Sequence, residues 1–252
     1  MKYMGSKARH AKELLPIILR DRKEGQWYVE PFVGGANMID KVDGNRIGAD
    51  NNEYVINALN FIKRETTPCS NEQFSELDYS IAAELARKDS IPTSKLGLYS
   101  YALIAFSFGA KWIGGWSRGK NSRGEQRDYV AEQHKASEKQ KPLLQGVKLV
   151  VGSYDEINIP NCSIIYCDPP YANTTQYKDK FNHDEFWQWC RDKCNQGHKV
   201  FISEYNAPDD FVCVWEKKVN SSLTKDTGAK KATEKLFVHE SQVDTCNDIG
   251  VI

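Results

Sequence analysis

Ser163-Ile-Ile-Tyr-Cys-Asp-Pro-Pro-Tyr171 reads as a buried strand that runs straight into an acidic, proline-locked turn. The apolar run Ser163–Cys167 has strand length and no polar alternation, as expected for a parallel sheet covered on both faces. Working outward, Lys148-Leu-Val-Val151 upstream has the same character, and Lys199-Val-Phe-Ile-Ser203 follows a helical stretch from Asp184 to Cys194. Gln26–Glu30 and Asn45–Asp50 are further short strands. The second leads into a helix from Glu53 to Lys63 with Val55, Ile56, Leu59 and Ile62 on one face. Phe211–Trp215 and Lys235–His239 complete the strand set. Strands alternating with helices define an α/β layer fold.

In such sheets ligands bind beyond the carboxyl ends of the strands, and Asp168 stands there. The two prolines fix φ and remove two N–H donors, leaving rigid backbone carbonyls as acceptors. One turn therefore offers a carboxylate, free carbonyls and, at Tyr171, an aromatic face. That set suits a flat base with an exocyclic amino group, although a Pro-Pro turn capped by an acid accounts for the same four residues. Glu30-Pro-Phe-Val-Gly-Gly-Ala36 follows the first strand, and glycines at a strand-to-helix turn allow close approach to the backbone. Asp50 ends the second strand, where an acid either binds ribose hydroxyls or caps the helix that begins at Glu53. The chain has no G-x-G-x-x-G and no glycine-rich run ending in Gly-Lys-Ser/Thr, which argues against dinucleotide and P-loop sites.

The 252 residues carry 34 Lys plus Arg and 34 Asp plus Glu, a formal charge of zero, with 40% hydrophobic residues. This is a globular composition, and no window approaches the ~20 apolar residues of a membrane span. The first ten residues contain no apolar leader, so an intracellular, cytoplasmic protein is expected. The zero hides a pattern: residues 1–23 sum to +5, 24–110 to −5, 111–149 to +5, 150–211 to −5, 212–235 to +3 and 236–252 to −3. Segregated charge leaves a nucleic-acid partner open and places its binding face near 1–23, 111–149 and 217–235. Seven cysteines at irregular spacing form no disulfide framework, and no Cys/His pair completes a metal site.

Taken together, these motifs resemble the Dam-type family of S-adenosylmethionine-dependent DNA adenine-N6 methyltransferases. Tyr3-Met-Gly-Ser-Lys7 is similar to the family's N-terminal cofactor motif, and Glu30-Pro-Phe-Val-Gly34 to its glycine loop. Ala49-Asp50-Asn51 resembles the ribose-binding motif, Gly152-Ser153-Tyr154 the segment beside the cofactor's adenine, and Asp168-Pro169-Pro170-Tyr171 the catalytic tetrapeptide. The family's loop usually places its second glycine two residues after the first, whereas here Gly35 follows Gly34 directly and Ala36 stands at that position.

The resemblance implies a Rossmann-like methyltransferase domain (1–69 and 146–252) with an inserted helical and loop-like target-recognition subdomain (70–145). It implies S-adenosylmethionine bound by Tyr3, Lys7, Phe32, Gly34, Asp50, Asn51, Ser153, Tyr154 and Asp168. It further implies site-specific methylation of the adenine amino group in double-stranded DNA, with the target base flipped into the pocket and stacked on Tyr171. The insertion departs from better-known members over Gly115–Arg127, so its contacts are read from residue chemistry. Lys111, Trp112, Arg118, Lys120, Asn121, Arg123 and Arg127 are the candidates, since Lys and Arg position phosphates while Arg and Asn read base edges. Ser203–Asn206 ends a strand on the same edge and is a candidate lining of the base pocket. Phe181, Phe186, Trp187 and Trp189 are read mainly as core, and His183 as a helix-start residue with no catalytic role. The expected setting is a monomer or weak dimer acting on DNA, nucleoid-associated when bound, with a cognate restriction endonuclease as a functional partner in a restriction-modification system. Rival readings are methylation of RNA adenine or of a protein amide nitrogen, and a non-catalytic DNA-binding regulator that keeps the fold.

Overall fold

The computed structural model describes residues 1–170, 181–220 and 231–245. Among them seven strands form one sheet: β1 (Tyr28–Glu30), β2 (Arg46–Asp50), β3 (Val147–Val151), β4 (Ile164–Cys167), β5 (Lys199–Glu204), β6 (Phe211–Asn220) and β7 (Lys231–His239). The order is β3-β2-β1-β4-β5-β7-β6. The first five strands are parallel, and β7 inserts antiparallel between β5 and β6. The chain order reverses between β1 and β4, so the crevice at their carboxyl ends is the topological switch point where such sheets bind ligands.

Side-chain alternation divides the core into two faces. Tyr28, Ile164, Tyr166, Phe201, Leu236 and Val238 point to one side, against α1 (Ala11–Ile18), α2 (Glu53–Arg64) and α4 (Leu96–Ala105). Their neighbours Val29, Ile165, Cys167, Val200, Ile202 and Phe237 point to the other, against Phe186, Trp187 and Cys190 of α6 (His183–Asn195). Burying a ring such as that of Phe186 contributes on the order of 2–3 kcal/mol, and continuous apolar strands supply such contacts on both faces. The exception is β3. Its apolar run predicts a strand covered on both sides, yet it is the sheet edge, with Val150 38% and Val151 51% exposed.

The helix boundaries follow local chemistry. Asn52, not Asp50, caps α2, its side chain accepting the Tyr54 N–H at 3.0 Å. Asn182 caps α6, and His183 is that helix's first residue. Between β2 and β3, α3 (Glu76–Arg87) carries a capping box of Ser75 and Asp78, and α5 (Tyr129–Gln140) is capped by Asp128. Tyr101, Leu103 and Ile104 of α4 are fully buried and belong to the same core as α2 and the sheet. Segment 70–145 thus shares its core with the strands flanking it. Residues 107–128 are largely loop, pinned by isolated bridges at Ser107–Trp116 and Lys120–Gln126.

Candidate functional site

Among the described residues, the motifs singled out in the sequence, apart from the insertion, meet at the carboxyl ends of β1 to β5. The N-terminal segment crosses this edge as a 3-10 turn, Lys7–Arg9, whose Ser6 accepts the Ala8 N–H at 3.3 Å. Lys7 is only 8% exposed, and its Nζ lies 3.0 Å from Asp168 Oδ1 and 3.4 Å from Glu234 Oε2. Burial alone would lower the lysine's pKa, but Asp168 and Glu234 outweigh it and hold the ammonium above its ordinary value. Pro169 beside the carboxylate is buried, fixing the turn against the strand end. Tyr171 lies outside the described residues.

The glycine loop is shaped by the same N-terminal segment. Gly34 has φ +45°, and a Cβ there would sit 2.9 Å from the Tyr3 ring. A Cβ on Gly35 would lie 2.7 Å from the Met1 carbonyl oxygen and 2.7 Å from Tyr3 Cβ. The glycine pair therefore accommodates Tyr3 as well as freeing the turn, a packing role the sequence does not disclose. Ala36 is fully buried and has φ 57°. A left-handed alanine costs about 1–2 kcal/mol, and burying its methyl offsets roughly 0.8 kcal/mol of that. The backbone at Ala36 thus keeps the left-handed conformation in which glycine is least strained, although the residue has a side chain.

Asp50 accepts the Gly34 N–H at 3.1 Å on Oδ2 and the Asn52 N–H at 3.0 Å on Oδ1. Desolvation pushes its carboxyl up to about 6, and the two backbone N–H bonds oppose that rise without cancelling it. The adjoining wall is aromatic. Phe32 stacks on Tyr154 with centroids 5.5 Å apart, and Phe181, Phe186 and Trp189 pack around them. Burial raises the Tyr154 phenol to about 12, so it stays protonated and can donate. The Gly152 N–H reaches the Asp50 carbonyl at 3.1 Å, tying this wall to β2. Asn51 and Ser153 sit at the mouth, Asn51 exposed and Ser153 half-buried.

Three further acids line this edge, two of them in segments the sequence singles out: Glu30 opens the glycine-loop motif and Glu204 belongs to Ser203–Asn206. Glu30, ending β1, is buried and accepts the Tyr28 hydroxyl at 2.8 Å; desolvation raises its pKa well above the ordinary glutamate value. Glu204, ending β5, is 2% exposed and accepts the Tyr205 N–H. Ser203 next to it meets the Tyr166 hydroxyl at 2.8 Å. Glu234 comes from β7, 66 positions beyond Asp168. Acids at strand ends were a detectable pattern for Glu30 and Glu204; nothing in the local sequence marks Glu234.

The insertion residues divide by what holds them. Trp112 is half-buried and stacks on Tyr54 of α2, with centroids 4.3 Å apart. Arg118 pairs with Glu76, and Arg127 pairs with Glu132 while covering the Tyr129 ring. Asn121 is a turn residue, its Oδ1 accepting the N–H groups of Arg123 and Glu125. Lys120 and Arg123 are exposed and make no ion pair among the described residues, and Lys111 is half-buried. Phe108, absent from the sequence candidates, is 68% exposed at the start of this loop. The Met1 amino group donates to Gln140 Oε1, and Glu13 pairs with Lys217 of β6, so the N-terminal segment touches both other basic segments. The basic block does not hold together throughout. Lys148 lies over Trp27, next to the amino end of β1, away from the site.

A mostly parallel sheet with a 3-2-1-4-5-7-6 order and this set of strand-end residues defines a Rossmann-like methyltransferase fold. Within that class, residues 3–90 match the D12 class N6 adenine-specific DNA methyltransferase family, a class of enzymes acting on adenine in DNA, in agreement with the Dam-type resemblance of the motifs. The matched stretch holds the N-terminal motif, the glycine loop and Asp50, and it ends just beyond α3. None of the curated proteins matches the chain. Among the described residues no helix is long and apolar enough to cross a membrane.

Proposed function

We propose that the chain transfers the methyl group of S-adenosylmethionine to the N6 amino group of adenine in double-stranded DNA. The observation that carries this reading is the junction of the Lys7–Asp168 pair with the Asp50–Gly34 turn at the sheet's switch point. The residues fit the donor. Asp50 presents two carboxylate oxygens, each holding one backbone N–H and each with a further lone pair for a ribose hydroxyl, and Phe32 with Tyr154 offers an apolar wall for a purine. When bound, S-adenosylmethionine supplies an electrophilic methyl on a cationic sulfur.

The adenine amino nitrogen is a weak nucleophile because its lone pair is delocalised into the ring. Asp168 and the Pro169 carbonyl accept its two N–H bonds, which favours a pyramidal nitrogen whose lone pair points at the methyl. The Asp168 carboxylate, facing the amino group, would stabilise the positive charge that the nitrogen gains on accepting the methyl, and would receive the proton that the nitrogen then sheds. Residues 70–145 serve target recognition. Lys120 and Arg123 are exposed cations for phosphates, and the exposed Phe108 is an apolar ring able to fill the gap left by an extruded base. Asp168→Ala tests the reading: tritium transfer to duplex DNA is lost while donor binding by calorimetry is weakened but detectable. Transfer at the wild-type rate refutes it. Sequencing modified adenines in genomic DNA from expressing cells identifies the target sequence.

A further inference from the structure

Glu234 reaches the Lys7–Asp168 pair from a strand that none of the motifs contains. Its Oε2 lies 3.4 Å from Lys7 Nζ, on an ammonium that also touches Asp168 Oδ1 at 3.0 Å, and the side chains of all three are at most 20% exposed. The three come from a 3-10 turn, the end of β4 and the antiparallel β7. A single buried ammonium on a single carboxylate makes a neutral pair, in which the cation draws on the very oxygens that must accept a substrate N–H. A second carboxylate shares the cation and leaves the trio with one net negative charge. That charge favours positive charge as it moves onto the amine nitrogen that Asp168 faces. Lys7 retains its proton in this setting despite its burial, as two flanking acids require.

We infer that Glu234 is a positioning residue for methyl transfer: it shares the Lys7 ammonium with Asp168, so that Asp168 is held in orientation through Oδ1 without losing its strength as an acceptor. This inference rests on the methyltransferase reading above. Glu234 touches neither substrate nor donor in this account and acts through Lys7.

The test uses the full chain, tritiated S-adenosylmethionine and an unmethylated duplex carrying the target sequence. Glu234→Gln keeps the shape and removes the charge. Single-turnover transfer should slow by about tenfold or more, the size expected when a full charge several ångströms away is lost at an effective dielectric near 20. KM for DNA and the donor dissociation constant should stay within about threefold, and the melting temperature within a few degrees, because the amide still accepts from Lys7. Glu234→Asp should recover part of the rate, and Glu234→Ala none. Nitrogen NMR of the Lys7 ammonium gives a readout independent of turnover, and its resonance should shift in Glu234→Gln. A Glu234→Gln enzyme at the wild-type rate, or one whose loss lies in KM or in melting temperature alone, overturns the inference while leaving the function intact. A wild-type chain that methylates no DNA adenine overturns the function itself, and this inference with it.

Discussion

Asp50→Asn isolates the cost of keeping a carboxylate under the glycine loop. In the folded chain this carboxyl titrates at about 6 because it is desolvated, against 3.8 for an unperturbed aspartate. The folded state therefore holds the proton more tightly than the unfolded state, and the contribution of Asp50 to stability grows as pH falls through 6 towards 4. Comparing proton binding in the two states gives about 1.4 kcal/mol more stability at pH 5 than at pH 8 from this residue alone. An asparagine has no proton to bind, so the variant lacks that increment. The substitution also turns an acceptor into a donor against one of the two N–H groups of Gly34 and Asn52. That loss costs roughly 1–3 kcal/mol, but equally at both pH values. Urea unfolding of both proteins at pH 8 and pH 5 separates the two effects. The stability gap between wild type and variant should widen in favour of the wild type by about 1.4 kcal/mol at the lower pH. A gap that is the same at both values, within about 0.3 kcal/mol, refutes the enclosed-carboxylate argument. Donor binding runs the other way, since protonation removes a ribose acceptor, and calorimetric affinity should fall below pH 6.

Gly35→Ala places a methyl against the Met1 carbonyl and Tyr3, in a segment that also carries Lys7. It should cost about 1–3 kcal/mol and lower the melting temperature accordingly, with transfer activity falling alongside; calorimetry and tritium transfer read both. Lys120→Ala and Arg123→Ala should each reduce the slope of log binding constant against log salt by about one, with little change in melting temperature. Arg118→Ala, whose ion pair with Glu76 is 68% and 46% exposed, should leave stability within about 0.5 kcal/mol, and a larger loss would mean the loop depends on that pair.

Much of this fold could be read directly. The runs at Ser163, Lys199, Asn45 and Phe211 became strands, and the periodic faces at Glu53 and Asp184 became helices, because burial patterns of period 2 and 3.6 are local properties of a chain. The covering of β3 was misjudged for an equally plain reason: an apolar run does not reveal whether a strand is central or at the edge. The insertion was harder to read. Exposed cations, paired cations and packed tryptophans have the same composition, and only the placement of Glu76, Glu132 and Tyr54 separates Lys120 and Arg123 from Arg118, Arg127 and Trp112.

By itself the sequence determined the class of fold and the place of Asp168 at a strand's carboxyl end, since proline geometry and strand termination act over a few residues. Tertiary structure decided what surrounds that acid. The N-terminal turn brings Lys7 across the sheet edge, and Tyr3 against Gly34 and Gly35 explains the altered glycine spacing. The antiparallel insertion of β7 between β5 and β6 carries Glu234 to Lys7. Charge sharing among residues 7, 168 and 234 depends on distances of 3.0 and 3.4 Å in space, and separation along the chain holds no record of them.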